Sequence, residues 1–142
     1  IEQSVVGKEI ECAVLQADGK LTVSQVGQIL LSDKFEFYDF QAKYLDNSMQ
    51  LVVPADLPAG VEAKIQQAAL TAFKAAGCEG LARIDFFYSD QGEIIINEIN
   101  TMPGFTPTSV YPKLIEKSGI TYQQLITKLI QTAQNRSLSI TR

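Results

Sequence analysis

The sequence predicts an α+β fold in which a mainly antiparallel sheet is packed on one side by helices. Two observations lead to this prediction: segments with the alternation of strands come in pairs joined by turns, and the helical segments lie apart from them. The 142 residues are 46% hydrophobic and 20% charged, which is typical of a globular chain. The length predicts one domain or a large part of one.

The first half of the sequence predicts a hairpin and then a long loop. Residues 9–15 alternate apolar and polar side chains, as the residues of a half-buried strand do. A turn at Asp18-Gly19 leads into 21–31, which is predicted to return as one strand. The aromatic and charged stretch 32–50 has no clear period and is predicted to be a loop. A short strand at 51–54 follows.

The second half predicts three helices and one more hairpin. Pro58 suits the first turn of a helix, apolar side chains follow at helical spacing, and Gly77 ends it. Thr121 and Gln124 form the capping-box pattern that starts the C-terminal helix. The other elements are two strands joined by a tight turn and one short helix: 80–88, 92–99 and 111–117.

Composition excludes several classes of site. The sequence contains no histidine, which rules out Ser-His and Cys-His catalysis and histidine-bound metals. A metal here should therefore be a hard cation held by oxygen ligands. Cys12 and Cys78 lie far apart in apolar surroundings and are predicted to be buried thiols in a reducing cytosol.

Charge and hydropathy argue against two kinds of partner. The net charge is -4, without a long basic run, which disfavours nucleic acid and anionic membrane surfaces. No apolar run approaches the roughly 18 residues that span a bilayer, and we expect no signal peptide. We expect a cytoplasmic protein with no nucleic-acid and no membrane partner. Because Ile1 is not an initiator methionine, we also expect a fragment of a longer chain.

The hairpin at 80–100 holds the most informative side chains. Side chains alternate between the two faces of a strand, so Arg83 and Asp85 share one face of the first strand. Glu98 and Asn100 share one face of the second strand. A turn with an even number of residues would place Arg83 opposite Glu98 and all four side chains on one face, whereas an odd number would separate them.

Two interpretations of this cluster remain open from the residues alone. Two carboxylates and an amide are the oxygen ligands that Mg²⁺ prefers, and an arginine suits a phosphoryl group or an oxyanion. The alternative is an ordinary ion pair between Arg83 and Glu98 on a solvated sheet face. The turn directly after Asn100 can present backbone N–H groups to an anion, which favours the first interpretation.

Three motifs together resemble the D-alanine–D-alanine ligase family, whose members are ATP-grasp enzymes. They are FYDFQAKY at 37–44, GLARIDFF at 80–87 and NEINTMPGFTPTSVYPKL at 97–114. The resemblance runs from about residue 1 to residue 136, and the order and spacing of the motifs make it specific. It implies the C-terminal ATP-grasp domain of such an enzyme.

The resemblance also implies a reaction and its cofactors. The family couples two D-alanines for peptidoglycan synthesis, using ATP and Mg²⁺ or Mn²⁺, with two ions. The carboxylate of the first D-alanine is phosphorylated, the amine of the second attacks the acyl phosphate, and phosphate leaves from a tetrahedral intermediate. Because the enzymes it resembles are usually dimers, the full-length protein is expected to be a homodimer.

By the same resemblance, the hairpin and the loop after it carry the metal and the intermediate. Asp85, Glu98 and Asn100 match the metal ligands of the family. Arg83 matches the arginine that stabilises the intermediate, and the backbone N–H of Gly104 matches its companion donor.

The resemblance implies roles for residues that carry little signal by themselves. Ser109, which alone fits a helix cap, and the N–H of Val110 match the group that binds the carboxylate of the second substrate. Lys43 and Tyr44 match a mobile loop that closes over the site, with Lys43 reaching towards phosphate. The remaining matches surround the nucleotide: Glu2 and Val5 at adenine, Glu9 at ribose and Phe37 stacked on adenine.

Parts of the family pattern are missing from this sequence. The N-terminal domain and the glycine-rich phosphate loop of the family are absent, so the chain alone is expected to be inactive or very weak. Two alternatives remain: a related ligase that takes D-serine or D-lactate as second substrate, or a non-catalytic nucleotide-binding module. The AKY sequence at 42–44 favours D-alanine over D-lactate.

Overall fold

The computed structural model describes residues 4–31, 49–106 and 108–136. Within these ranges the strands form one sheet of six, in the order β4-β3-β1-β5-β6, and β2 pairs with β1 beside β3. Every pairing between these strands is antiparallel. The elements are β1 (Gly7–Ala17), β2 (Lys20–Val23), β3 (Gly27–Leu31), β4 (Met49–Val52), α1 (Val61–Ala75), β5 (Leu81–Ser89), β6 (Ile94–Asn100), α2 (Val110–Lys117) and α3 (Tyr122–Asn135).

Strand β1 is central because it pairs along both of its edges. One edge pairs with β5, and the other is shared by β2 near its end and β3 near its start. The single returning strand predicted for 21–31 is therefore wrong, since Ser24 lies between β2 and β3. The Ser24 hydroxyl accepts the Ala13 N–H at 3.0 Å, so this buried donor remains satisfied where the regular ladder breaks.

Helices cover both faces of the sheet, which corrects the expectation of helices on one side. Helix α1 packs its buried side chains, including Ile65 and Phe73, against the face that carries Cys12 and Ile84. Helices α2 and α3 pack against the opposite face, in a cluster with Ala13. The physical reason is that residues 12–15 are apolar on both faces of β1, so each face needs a covering layer.

The helix ends follow local rules, with one shift. Helix α1 begins at Val61, after the left-handed Gly60, and not at Pro58 as predicted. Pro58 instead accepts the Val61 N–H through its carbonyl oxygen at 3.1 Å. The capping box predicted for the C-terminal helix is confirmed: the Thr121 hydroxyl accepts the N–H of Gln124, whose side chain accepts the N–H of Thr121.

The turn between β5 and β6 has an odd number of residues, contrary to the even turn that the sequence argument used. The Ser89 N–H donates to the Glu93 carbonyl at 3.0 Å, which leaves Asp90, Gln91 and Gly92 in the turn. Gly92 has a φ of 83°, the left-handed conformation that a turn of this length favours at its last position. An odd turn by itself would place the predicted site residues of β6 on the wrong face.

No helix in the described part of the chain combines the length and the apolar character needed to cross a membrane.

Burial of α2 against the sheet is expected to dominate local stability. Ile115 is fully buried, whereas Ile130 on α3 is 53% exposed. We expect Ile115→Ala to lower the free energy of unfolding by about 2–5 kcal/mol, because it leaves a cavity between α2 and β1. Ile130→Ala, the matched control, should lower it by about 1 kcal/mol or less. Urea denaturation followed by circular dichroism measures both, and equal losses would contradict the packing described.

Candidate active site on the sheet

A β-bulge in β6 restores the arrangement that the odd turn would have destroyed. Near the turn, Phe86 pairs with Ile96, but one step further Asp85 pairs with Glu98 and leaves Asn97 as an extra residue. The bulge shifts the register by one, so Glu98 and Asn100 turn to the face of Asp85 and Arg83. The predicted pairing of Arg83 with Glu98 is wrong, since Arg83 lies opposite Asn100. All four side chains nevertheless share one face.

Arg83 is bound by two carboxylates on this face. Its Nε and Nη2 atoms donate to Oδ1 and Oδ2 of Asp85 at 2.8 and 2.7 Å. Its Nε also lies 3.1 Å from Oε2 of Glu11 on β1. The side chains of Arg83, Asp85 and Glu11 are only 13–14% exposed, so this is not the solvated surface pair of the alternative interpretation.

The surroundings of Arg83 keep its guanidinium charged. Burial by itself would lower the pKa of Arg83, but the hydrogen bond to Asp85 and the charges of Glu11, Asp85 and Glu98 raise it above its ordinary value. Arg83 therefore remains a fixed positive charge over the physiological pH range.

The face carries more negative than positive charge. Glu11, Asp85 and Glu98 lie side by side on three adjacent strands, because Asp85 is the backbone partner of both of the others. We refer to these three residues as the carboxylate row. Its three negative charges exceed the single charge of Arg83, so the surplus suits a cation.

The donor atoms on this face fit a hard divalent cation that other ligands help to hold. Asp85, Glu98 and Asn100 offer oxygens, which Mg²⁺ prefers. A carboxylate has about four lone-pair positions, so Asp85 can bind Arg83 and a cation together. Among the described residues, no group of three or more Asp, Glu or Cys side chains is arranged to hold a metal alone. The cation would therefore need further oxygens, such as those of a phosphate.

Glu11 was not identified as a site residue by the sequence argument. The available signal was its alternation with Ile10 and Cys12, which places it on the polar face of β1 together with Glu9. That pattern also fits a solvated strand, and only the pairing of β1 with β5 brings Glu11 to Arg83. Glu9 lies two residues earlier on the same face, opposite Phe87.

The loop after β6 is held against α2 and α3 by aromatic contacts. Asn100 is the last residue of β6, and its Oδ1 accepts the Met102 N–H of this loop at 3.1 Å. The Phe105 ring lies 5.6 Å from the Tyr111 ring and 6.3 Å from the Tyr122 ring, measured between centroids. The Tyr111 hydroxyl donates to the Val14 carbonyl at 3.1 Å, so the loop and α2 are fixed to β1.

Ser109 stands directly before α2 but does not cap it with its side chain. Its hydroxyl accepts the Thr106 N–H at 2.9 Å and lies 2.8 Å from the Thr106 hydroxyl. Gly104 lies beside it: a Cβ at Gly104 would come within 2.8 Å of the Ser109 Oγ. The loop therefore brings Gly104, Ser109 and the first residue of α2, Val110, into one neighbourhood.

The remaining predicted site residues lie apart from this neighbourhood or outside the described ranges. Val5 is half-buried and lies two residues before β1. Four predicted residues lie outside the described ranges: Glu2, Phe37, Lys43 and Tyr44. A groove of about 1110 Å³ lies at β4 and the end of α2, lined by residues such as Leu51 and Lys117, and is separate from the carboxylate row.

Residues 1–131 match the family model described as D-ala D-ala ligase C-terminus. The chain belongs to this ligase family. It is 50% identical to the D-alanine–D-alanine ligase of Arthrobacter sp. (strain FB24), and the match covers 99% of this chain and 38% of the relative. The chain thus spans well under half the length of the curated ligases that it resembles.

Solved structures of ligases share the fold. The VanG D-Ala:D-Ser ligase from Enterococcus faecalis is 42% identical with a TM-score of 0.75, over 92% of this chain and 37% of that one. A D-alanine–D-alanine ligase from Bacillus anthracis, solved in complex with ATP, is 34% identical with a TM-score of 0.71, over 94% and 41%. The predicted α+β fold of a C-terminal ATP-grasp domain is confirmed by these likenesses.

Removing Arg83 should destabilise this ligase domain, because two mostly buried carboxylates lose their partner. We expect Arg83→Met to lower the free energy of unfolding by about 3–5 kcal/mol. The matched control is Arg136→Met, which breaks a pair with Glu79 whose side chains are 67% and 57% exposed. The control should change stability by about 0–1 kcal/mol. Denaturant titration measures both, and a small effect of Arg83→Met would mean that the pairs are solvated.

Proposed function

We propose that this chain is the C-terminal part of a longer enzyme that joins two D-alanines in an ATP-dependent reaction, for peptidoglycan synthesis. The observation that carries the proposal is the meeting of Arg83, Asp85, Glu98 and Asn100 on one sheet face. The family and the identity to curated D-alanine–D-alanine ligases support the same substrate.

We assign the metal to Asp85, Glu98 and Asn100. Their oxygens fit Mg²⁺ or Mn²⁺, and the negative surplus of the carboxylate row would suit two such ions, with the remaining ligands coming from phosphate oxygens. Bound Mg·ATP supplies the phosphoryl group and neutralises the charge that develops during its transfer. The ATP complex of the Bacillus anthracis ligase supports the choice of nucleotide.

Arg83 and the Gly104 N–H are assigned to the negative charge of the tetrahedral intermediate. Arg83 is suited to this role because its charge is fixed and its Nε edge is already bound by Asp85 and Glu11. A group held in place before the reaction needs no reorganisation when charge develops, which is the basis of electrostatic catalysis. Glycine at 104 lets the backbone approach the Ser109 hydroxyl closely.

Ser109 and the Val110 N–H are assigned to the carboxylate of the second substrate. They lie at the N-terminal end of α2, where backbone N–H groups lack partners within the helix and the helix dipole favours an anion. The Ser109 hydroxyl accepts no capping bond from the N–H groups of the helix, so its position is set by Thr106 instead.

The nucleotide and lid assignments rest on the resemblance to the family. Glu9 is proposed to bind the ribose and Val5 to meet adenine, together with Glu2 and the stacking ring of Phe37. Lys43 and Tyr44 are proposed to belong to a loop that closes over the site and excludes water. We further propose a cytoplasmic homodimer for the full-length enzyme.

Two alternatives are separated by experiment. The likeness to the VanG D-Ala:D-Ser ligase supports D-serine as a second substrate, because that structure is 42% identical to this chain. A non-catalytic nucleotide-binding module would keep the fold and the affinity for ATP without turnover.

The full-length protein is expected to release one ADP for each D-alanyl-D-alanine formed, with D-alanine, ATP and Mg²⁺ present. Residues 1–142 alone should show no measurable turnover, because they span only 38% of the length of the related Arthrobacter ligase. A coupled ADP assay with chromatography of the dipeptide measures both. Mixed D-alanine and D-serine should yield mainly D-alanyl-D-alanine.

The dipeptide formed and the binding of ATP distinguish the three candidate functions. Mainly D-alanyl-D-serine would favour the D-serine ligase, and ATP binding without any turnover would favour the non-catalytic module. Normal dipeptide formation by residues 1–142 alone would contradict the expectation that this chain holds only part of an active site.

Loss of either metal-binding carboxylate should abolish most of the activity. We expect Asp85→Asn and Glu98→Gln to lower kcat by about 10²–10³-fold in the full-length protein, since each removes a charge that holds the cation at the transferring phosphoryl group. Asp18→Asn, at an exposed pair with Lys128, is the control and should leave kcat unchanged. Mn²⁺ titration in the presence of a non-hydrolysable ATP analogue should show weakened binding for the first two variants only.

A further inference from the structure

We propose that Glu11 is a positioning residue that holds the guanidinium of Arg83 while Asp85 is shared with the cation. The inference rests on the proposed function and adds a residue to its machinery. Glu11 lies on β1, on a different strand from every residue assigned above to the metal or the intermediate.

The geometry binds Arg83 from two strands. Asp85 holds Nε and Nη2 from the same strand, and Glu11 approaches Nε to 3.1 Å from the neighbouring strand. Both contacts lie on the Nε side of the guanidinium.

Arg83 needs a second carboxylate partner because Asp85 is assigned both to Arg83 and to the metal. Asp85 accepts two hydrogen bonds from Arg83, and it is also a proposed metal ligand. A cation near Asp85 withdraws negative charge from the carboxylate and repels the guanidinium, which weakens that pair. Glu11 adds a full negative charge from another strand. It would therefore keep the Arg83 guanidinium in place on the sheet face beside Asp85 when the cation is present.

Stability alone does not account for a carboxylate at this position. The next two residues on the same face of β1 are Ala13 and Leu15, both buried in the core. Apolar side chains at both positions 11 and 83 would continue that surface, and replacing a whole buried ion pair by apolar groups is often neutral or stabilising. The Glu11 Oε2 atom is buried as well, and a buried carboxylate is unfavourable unless it is paired, as it is here with Arg83.

The test uses the full-length protein and Glu11→Gln, which keeps the size of the side chain and removes its charge. We expect kcat to fall by about 10–100-fold, as for other residues that orient a group bound at a metal site. KM for ATP and for D-alanine should change little, because Glu11 contacts neither substrate in this assignment. Glu79→Gln removes the same charge from the exposed pair with Arg136 and should leave kcat unchanged.

Coupling to Arg83 separates positioning from a merely structural role. If Glu11 acts through the guanidinium, Glu11→Gln should lower kcat by less than about 2-fold in an Arg83→Lys background, where the planar fork is already lost. An equal loss in both backgrounds would overturn the proposal, as would wild-type kcat in Glu11→Gln alone. Wild-type protein without any dipeptide formation would instead overturn the proposed function.

Thermal melting of each variant checks that it is folded, and rates are compared per amount of folded protein. If Glu11→Gln does not fold, Glu11→Asp carries the test, because its shorter side chain draws the charge away from Nε. We then expect a reduced kcat at unchanged KM, again lost in the Arg83→Lys background, and an unchanged kcat for Glu11→Asp overturns the proposal.

Discussion

The backbone ladder between β1 and β5 decides which side chains meet on each face of the sheet. It runs from Gly7 opposite Ser89 to Leu15 opposite Leu81 without a break. A Cβ at Gly7 would come within 2.2 Å of the Tyr88 carbonyl oxygen, so the close start of the ladder requires glycine. Because the register is set, Glu11 stands beside Asp85, and α1 covers the opposite face.

The sheet face that carries Arg83 and the carboxylate row combines a stabilising core with an unfavourable charge cluster. Towards the end of β1 this face is apolar and packs under α2 and α3, whereas its start carries Glu9 and Glu11. Burying charges is unfavourable unless they are paired, and here one guanidinium pairs with the mostly buried Glu11 and Asp85 while the charge of the exposed Glu98 also acts on it. A cation with bound phosphates would neutralise the surplus negative charge of the cluster.

The region around Ser109 shows how the same side chains serve packing and binding. Tyr111 is fully buried and bonds to β1, while its ring also contacts Phe105 of the loop that leads to Ser109. The position of the Ser109 hydroxyl therefore depends on the docking of α2 on the sheet. Loss of core packing under this helix should disturb the proposed second-substrate group before the fold is lost.

The sequence by itself determined the element types, the chemistry that is available and the family. Alternation identified β1, Thr121 and Gln124 identified a capping box, and the absence of histidine left oxygen ligands and one arginine. Only the tertiary structure decided that helices cover both faces, that an odd turn is offset by a bulge at Asn97, and that Glu11 reaches Arg83. The reason is that a period of two shows which residues of one strand share a face. The register between strands depends on turn length, bulges and long-range pairing, and a single inserted residue reverses every face that follows it.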